Sequence, residues 1–147
     1  MYDDILVPTD GSPAAAAAID HAVDLAERYG ARLHALYVVD ATAFASVDAG
    51  SEMVVDALEQ EGEQAVEVVR EQGEAAGLEV ETTIVSGTAY RSIIDYIEAE
   101  GVDLVVMGTH GRRGVERFLL GSVTERVVRS ADVPVLTVRE GEEEEEE

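Results

Sequence analysis

Five short apolar runs recur along the chain, and each gap between them is long enough to hold a helix. The runs are Asp4 to Pro8 (DILVP), Arg32 to Val39 (RLHALYVV), Leu78 to Val85, Asp103 to Met107 (DLVVM) and Val133 to Val138 (VPVLTV). Most are too continuously apolar for a sheet wetted on one face, so they read as strands buried on both sides. Strands in that setting are parallel, and each parallel connection needs a crossover of roughly a dozen residues or more. The order that results implies one α/β domain with an open, mostly parallel, doubly wound sheet, covering residues 1–139.

The intervening segments carry helix signals. Ser12-Pro13 supplies an N-cap and a first-turn proline, Ala15, Ile19, Ala22 and Ala26 form an apolar stripe, and Gly30 ends the segment. Residues 40–50 read as a loop, and Ser51 to Ala76 as a long acidic helix stopped by Gly77. Thr88 to Ala99 carries Ile93, Ile94 and Ile97 at helical spacing, and Ser122 to Ser130 is the last helix. Residues 140–147 form an acidic tail that self-repulsion should keep disordered.

Composition excludes several chemistries. There is no cysteine, which removes thiolate metal sites and cysteine nucleophiles and fits a reducing cytoplasm. No run approaches the roughly 18 apolar residues of a membrane span, so the chain reads as cytoplasmic with no membrane partner. The net charge is −22; seven carboxylates lie from Glu140 onward, and without them −15 remains. All ten basic residues are arginine. Such self-repulsion suits a salt-rich interior, where the Debye length falls to about 3 Å at 1 M, and this points to a halophilic protein. Nucleic acid is disfavoured, because phosphate tracking needs a positive face larger than one loop. A protein partner of unknown identity stays open.

In an open parallel sheet, ligands sit beyond the carboxyl ends of the strands. The residues placed there are Pro8-Thr9-Asp10-Gly11, Val39-Asp40, Ser86-Gly87-Thr88 and the stretch from Gly108 onward. That last stretch, MGTHGRRGVERFLLGSVTERVVR, holds five of the ten arginines around Gly108, Gly111, Gly114 and Gly121. Glycines let backbone amides approach an anion, and a helix beginning at Gly121-Ser122 adds unpaired N–H groups and a favourable dipole. A phosphate chain fits between the first glycine pair and Gly121-Ser122. The plain alternative is a tight turn, with Ser122 and Glu125 as an ordinary capping box. Asp10 could take a ribose hydroxyl, an adenine amino group through water, or a divalent ion. It could equally close a hydrogen-bonded turn. His110 could donate to phosphate or face solvent, while His21 and His34 have surface or core roles. There is no GxxxxGK[ST] or GxGxxG, and no lysine for a P-loop or a receiver site.

With these residues in view, the chain resembles the universal stress protein family. MGTHGRRGVERFLLGS has the form G-2x-G-9x-G-[S/T], and ILVPTDGS, YVVD and VPVLTV are similar to the family's other landmarks, across residues 1 to about 139. The resemblance implies a five-stranded sheet in order 3-2-1-4-5. It also implies ATP, with Mg2+, bound by Pro8, Thr9, Asp10, Val38, Met107, Gly108, Gly111, Gly121, Ser122 and Val123. Asp10 and Val38 would lie on the nucleoside side, and the glycines with Ser122 on the phosphates. A homodimer through Val133 to Val138 is a further implication, and an apolar edge strand there would want covering. The functional expectation is a regulatory, stress-response nucleotide-binding module with slow or no ATP hydrolysis, since rapid phosphoryl transfer relies on dense positive charge at the γ-phosphate. Two other readings stay open: a dimeric interaction module that binds no nucleotide, and a slow, partner-activated ATPase.

Overall fold

The structure, a computed structural model, describes residues 1–40, 51–110 and 121–140. Strands β1 (Asp4–Pro8), β2 (Arg32–Val39), β3 (Val80–Ser86), β4 (Leu104–Gly108) and β5 (Val135–Val138) alternate with α1 (Pro13–Tyr29), α2 (Ser51–Ala75), α3 (Ala89–Glu100) and α4 (Ser122–Ser130). Every pairing is parallel, and the strand order is β3-β2-β1-β4-β5. The expected doubly wound sheet is therefore what the chain forms.

Side-chain alternation divides the core into two layers. Ile5, Val7, Leu33, Ala35 and Val39 face α1 and α2, whereas Leu6, Leu36, Val105 and Met107 face α3 and α4. In α1 the buried stripe is mostly alanine: Ala14, Ala15, Ala18, Ala22 and Ala26, with Ile19 and Val23. Small side chains let that helix lie close to the sheet. The Ser12 hydroxyl caps it by accepting from the Ala15 amide at 3.2 Å, and Gly30 ends it in the left-handed region at φ 66°. Among the described residues no helix is long and apolar enough to cross a membrane.

Several strand boundaries differ from the sequence expectation by one or two residues: β3 runs on to Ser86, β4 spans Leu104–Gly108 instead of Asp103 to Met107, and β3 and β5 start late. The third strand begins at Val80 instead of Leu78, because the Leu78 amide donates to the Gly73 carbonyl at 2.9 Å and finishes the α2 C-terminal turn over Gly77. The last strand begins at Val135 instead of Val133. Pro134 can accept from the Val105 amide at 3.0 Å but has no N–H to return, so the ladder proper starts one residue later.

One buried polar chain ties α3 to the sheet. His34 is 1% exposed, with Nδ1 2.8 Å from the Tyr96 hydroxyl and Nε2 2.9 Å from Asp4 Oδ1. A carboxylate can only accept, so Nε2 carries the proton, and in the neutral imidazole Nδ1 accepts from Tyr96. The Tyr96 hydroxyl also meets the Thr83 side chain, and burial raises its pKa above the ordinary 10.0. These contacts join β1, β2, β3 and α3 far from the strands' carboxyl ends.

Candidate functional site

The winding reverses at β1, with β2 and β3 to one side and β4 and β5 to the other. The pairing of β1 with β4 runs only through Ile5–Leu104 and Leu6–Val105. On one side, β1 stays joined to β2 as far as Pro8–Leu36, and the Thr9 amide donates to the Leu36 carbonyl at 2.9 Å. On the other, β4 stays joined to β5 as far as Gly108–Val138, and the Thr109 amide donates to Val138 at 3.0 Å. The sheet therefore parts between Pro8-Thr9-Asp10 and Met107-Gly108-Thr109. A crevice at this point is where doubly wound sheets hold ligands.

The β1 wall is a fixed turn. Asp10 Oδ1 accepts from the Ser12 amide at 3.0 Å, Thr9 Oγ1 accepts from the Gly11 amide at 3.2 Å, and Gly11 has φ 79°. Asp10 thus does close a turn, as its residue type allows.

The β4 wall is assembled from both ends of the glycine stretch. The Gly121 amide donates to the Thr109 carbonyl at 2.6 Å, and the Thr124 hydroxyl donates to the Gly108 carbonyl at 2.9 Å. A β-carbon on Gly121 would lie 3.1 Å from His110 Cα, so any larger residue there needs the turn or α4 to give by a few tenths of an ångström. Gly108 is constrained from the other face, where its β-carbon would come within 2.9 Å of the backbone of Ala14. Neither glycine has a positive φ. Their shared requirement is space, and sequence spacing alone did not disclose it.

The capping box expected at Ser122 does not form. Gly121 is the N-cap, with φ −73° and ψ 167°, and among the described residues no side chain caps the helix. Ser122 is the first helical residue, and Glu125 pairs with Arg129 at 2.6 Å instead of reaching back. Among the described residues the first amides of α4 consequently have no side-chain acceptor; they lie at the carboxyl end of the sheet, where the helix dipole adds partial positive charge. His110 lies beside them, with Nδ1 3.3 Å from Thr109 Oγ1 and Nε2 3.7 Å from Glu140 Oε1.

Pro8 ends β1 with Thr9 and Asp10 after it, Met107 and Gly108 end β4, and Gly121, Ser122 and Val123 open α4, so all eight belong to the carboxyl end of the sheet. Val38 sits one strand away, and with Met107 and Val123 it belongs to the layer under α3 and α4. Gly111, Gly114, Arg112, Arg113 and Arg117 lie outside the described residues, as does the acidic tail beyond Glu140. Three roles were not anticipated. Asp40 caps α3 by accepting from the Ala89 amide at 3.2 Å, Thr124 supports Gly108, and Arg126 stacks 4.1 Å above the Tyr90 ring. The sequence placed Asp40 at a strand end and Arg126 in the arginine-rich stretch, but showed neither of these contacts and did not single out Thr124. Among the described residues no group of three or more histidines and carboxylates could hold a metal ion by itself.

A parallel sheet split at its switch point, with a helix start at the same end, defines a doubly wound α/β protein whose crevice is suited to anionic ligands. The family model for the Universal stress protein family matches residues 1–139, and the chain belongs to that family. Universal stress protein MJ0531 from Methanocaldococcus jannaschii is 40% identical over 141 residues, covering 95% of this chain and 83% of that protein. The solved structure of protein MJ0577 superposes with a TM-score of 0.86 at 33% identity, covering 97% of this chain and 99% of that one. MJ0577 is also a universal stress protein of M. jannaschii. A universal stress protein solved in complex with cAMP has a TM-score of 0.71 at 26% identity, covering 95% of this chain and 99% of its own.

Proposed function

We propose that this chain binds ATP in the β1–β4 crevice and acts as a regulatory nucleotide-binding module of a stress response. The observation that carries the reading is the bond from the Gly121 amide to the Thr109 carbonyl, which sets the start of α4 against the end of β4. Phosphates accept from the amides of Ser122 and Val123, and the nucleoside lies toward Pro8, Thr9, Asp10, Val38 and Met107. Gly111 supplies a further amide. Mg2+ arrives with the phosphates, and Asp10 is the carboxylate of the adjoining turn. A universal stress protein in complex with cAMP supports the nucleotide reading. The chain has no lysine for the γ-phosphate, so turnover is slow or absent. The acidic, cysteine-free composition suits a cytoplasm rich in salt.

Equilibrium dialysis with ATP and Mg2+ in concentrated salt should show saturable binding. Gly121→Val combined with Ser122→Ala should abolish it, because the valine forces α4 away from His110. No binding by the wild type, or equal binding by the variant, would leave a nucleotide-free interaction module as the better reading.

The same protein is proposed to dimerise through β5. That strand is an edge of the sheet, with Leu136 39% exposed, and Val128 on α4 is 43% exposed. Apolar edges of this kind invite pairing with a second copy. Sedimentation velocity should give a dimer for the wild type and a monomer for Leu136→Glu. A monomeric wild type would refute the assignment.

A further inference from the structure

Ten arginines face 32 carboxylates in this chain, so an arginine that avoids them stands out. Among the described residues, Arg28 pairs with Asp24, Arg32 with Glu79 and Glu81, Arg70 with Glu67, and Arg129 with Glu125. Among those residues Arg139 has no ion-pair partner, and neither have Arg91 and Arg126. These last two are drawn instead to one ring, with Cζ 5.8 Å and 4.1 Å from the centroid of Tyr90. A cation over an aromatic face keeps its full charge, unlike one neutralised by a carboxylate.

The place of this stack matters. Arg126 lies four residues beyond Ser122, so the two share a face of α4, and both are exposed. Helical side chains lean toward the N-terminus, which carries the Arg126 guanidinium toward the Gly121–Ser122 end. Tyr90 is in the first turn of α3, at the same end of the sheet, and packs against the layer that also holds Val38, Met107 and Val123. Its ring is thus held by the core on one side and offers the shelf for Arg126 on the other.

We infer that Arg126, shelved on Tyr90 with Arg91 behind it, is the cationic arm of the crevice and sets the ligand's phosphate count, favouring a nucleoside triphosphate over a monophosphate. This rests on the nucleotide reading above and adds the residue that discriminates by charge. A guanidinium offers a planar fork of donors to phosphate oxygens, and its contribution grows with each negative charge in reach.

The test measures dissociation constants for ATP, AMP and adenosine at two salt concentrations. Arg126→Gln should weaken ATP by about tenfold, the scale of one charge-assisted hydrogen bond, while adenosine changes by less than about twofold. Tyr90→Leu keeps the apolar packing but removes the shelf, and should weaken ATP by about threefold, as expected of a lost cation–π contact. Arg129→Gln, which removes a guanidinium already paired with Glu125, should leave all three ligands unchanged. Equal losses for ATP and AMP, equal losses for ATP and adenosine, or no loss for ATP would overturn the inference while leaving nucleotide binding intact. Should the wild type bind neither ATP nor adenosine, the nucleotide reading fails, and the arm is judged by inorganic tripolyphosphate. A saturable shift of the Arg126 side-chain Nε–H resonance, absent in Tyr90→Leu, would keep an anion arm; no shift would refute it.

Discussion

Gly108→Ala should lower the melting temperature by about 6–12 °C, a larger effect than its single added methyl suggests. The new β-carbon would stand 2.9 Å from the carbonyl carbon, carbonyl oxygen and β-carbon of Ala14. Two of those atoms are backbone, in the first turn of a helix already fixed by Ser12 and by a fully buried alanine stripe. No side chain can swing away, so α1 or β4 must shift. Overpacking of that kind costs about 3 kcal/mol, and each kcal/mol is worth about 2–4 °C in a domain near this size. The shift would also reach the crevice, because the Gly108 carbonyl holds the Thr124 hydroxyl at the start of α4. Calorimetry in concentrated salt is the measurement. An unchanged melting temperature would mean that the α1–β4 spacing yields more easily than the packing implies.

His34→Leu should destabilise the protein by about 2–4 kcal/mol, through the partners it abandons more than through lost volume. With the imidazole gone, the Tyr96 hydroxyl loses the acceptor at 2.8 Å and Asp4 loses a donor at 2.9 Å. Asp4 retains some access to water, its side chain being 27% exposed, so the heavier share falls on the buried tyrosine. Tyr96→Phe alone should cost about 1–2 kcal/mol, and the two changes together less than their sum, since each removes the other's partner. Additive losses in urea unfolding would contradict a shared network. The tyrosine gives the wild type an alkaline signature. Its pKa is raised in the folded state, so the folded chain holds that proton more tightly than the unfolded one. Stability is constant below the ordinary value of 10.0 and falls as pH rises above it.

Much of this architecture could be read from the chain because the relevant signals are local. Ser12-Pro13, Gly30 and the spacing of Ala15, Ile19, Ala22 and Ala26 describe α1 without reference to anything distant. Ser122–Ser130 likewise emerged with its bounds intact. What escaped was decided by contacts across the fold. Ser122 has the residue type of a cap, but the Gly121 amide is claimed by Thr109, and the helix starts one residue earlier than a capping box requires. Gly108 looked like a turn glycine and proved to be a strand residue pressed against another element. Tyr90 and Arg126 stand 36 positions apart, and no periodicity announces that α3 and α4 would bring them together. His34 in β2 resembled any core or surface histidine until Tyr96 and Asp4 arrived from two other elements.

The short pairing of β1 with β4 gives the molecule a seam. A three-stranded half and a two-stranded half are stitched by Ile5–Leu104 and Leu6–Val105, then run on side by side toward an unzipped end. Anything lodged in that opening touches both halves at once and works as a clasp. A small molecule held there would become a structural member of the sheet, with occupancy and rigidity rising and falling together.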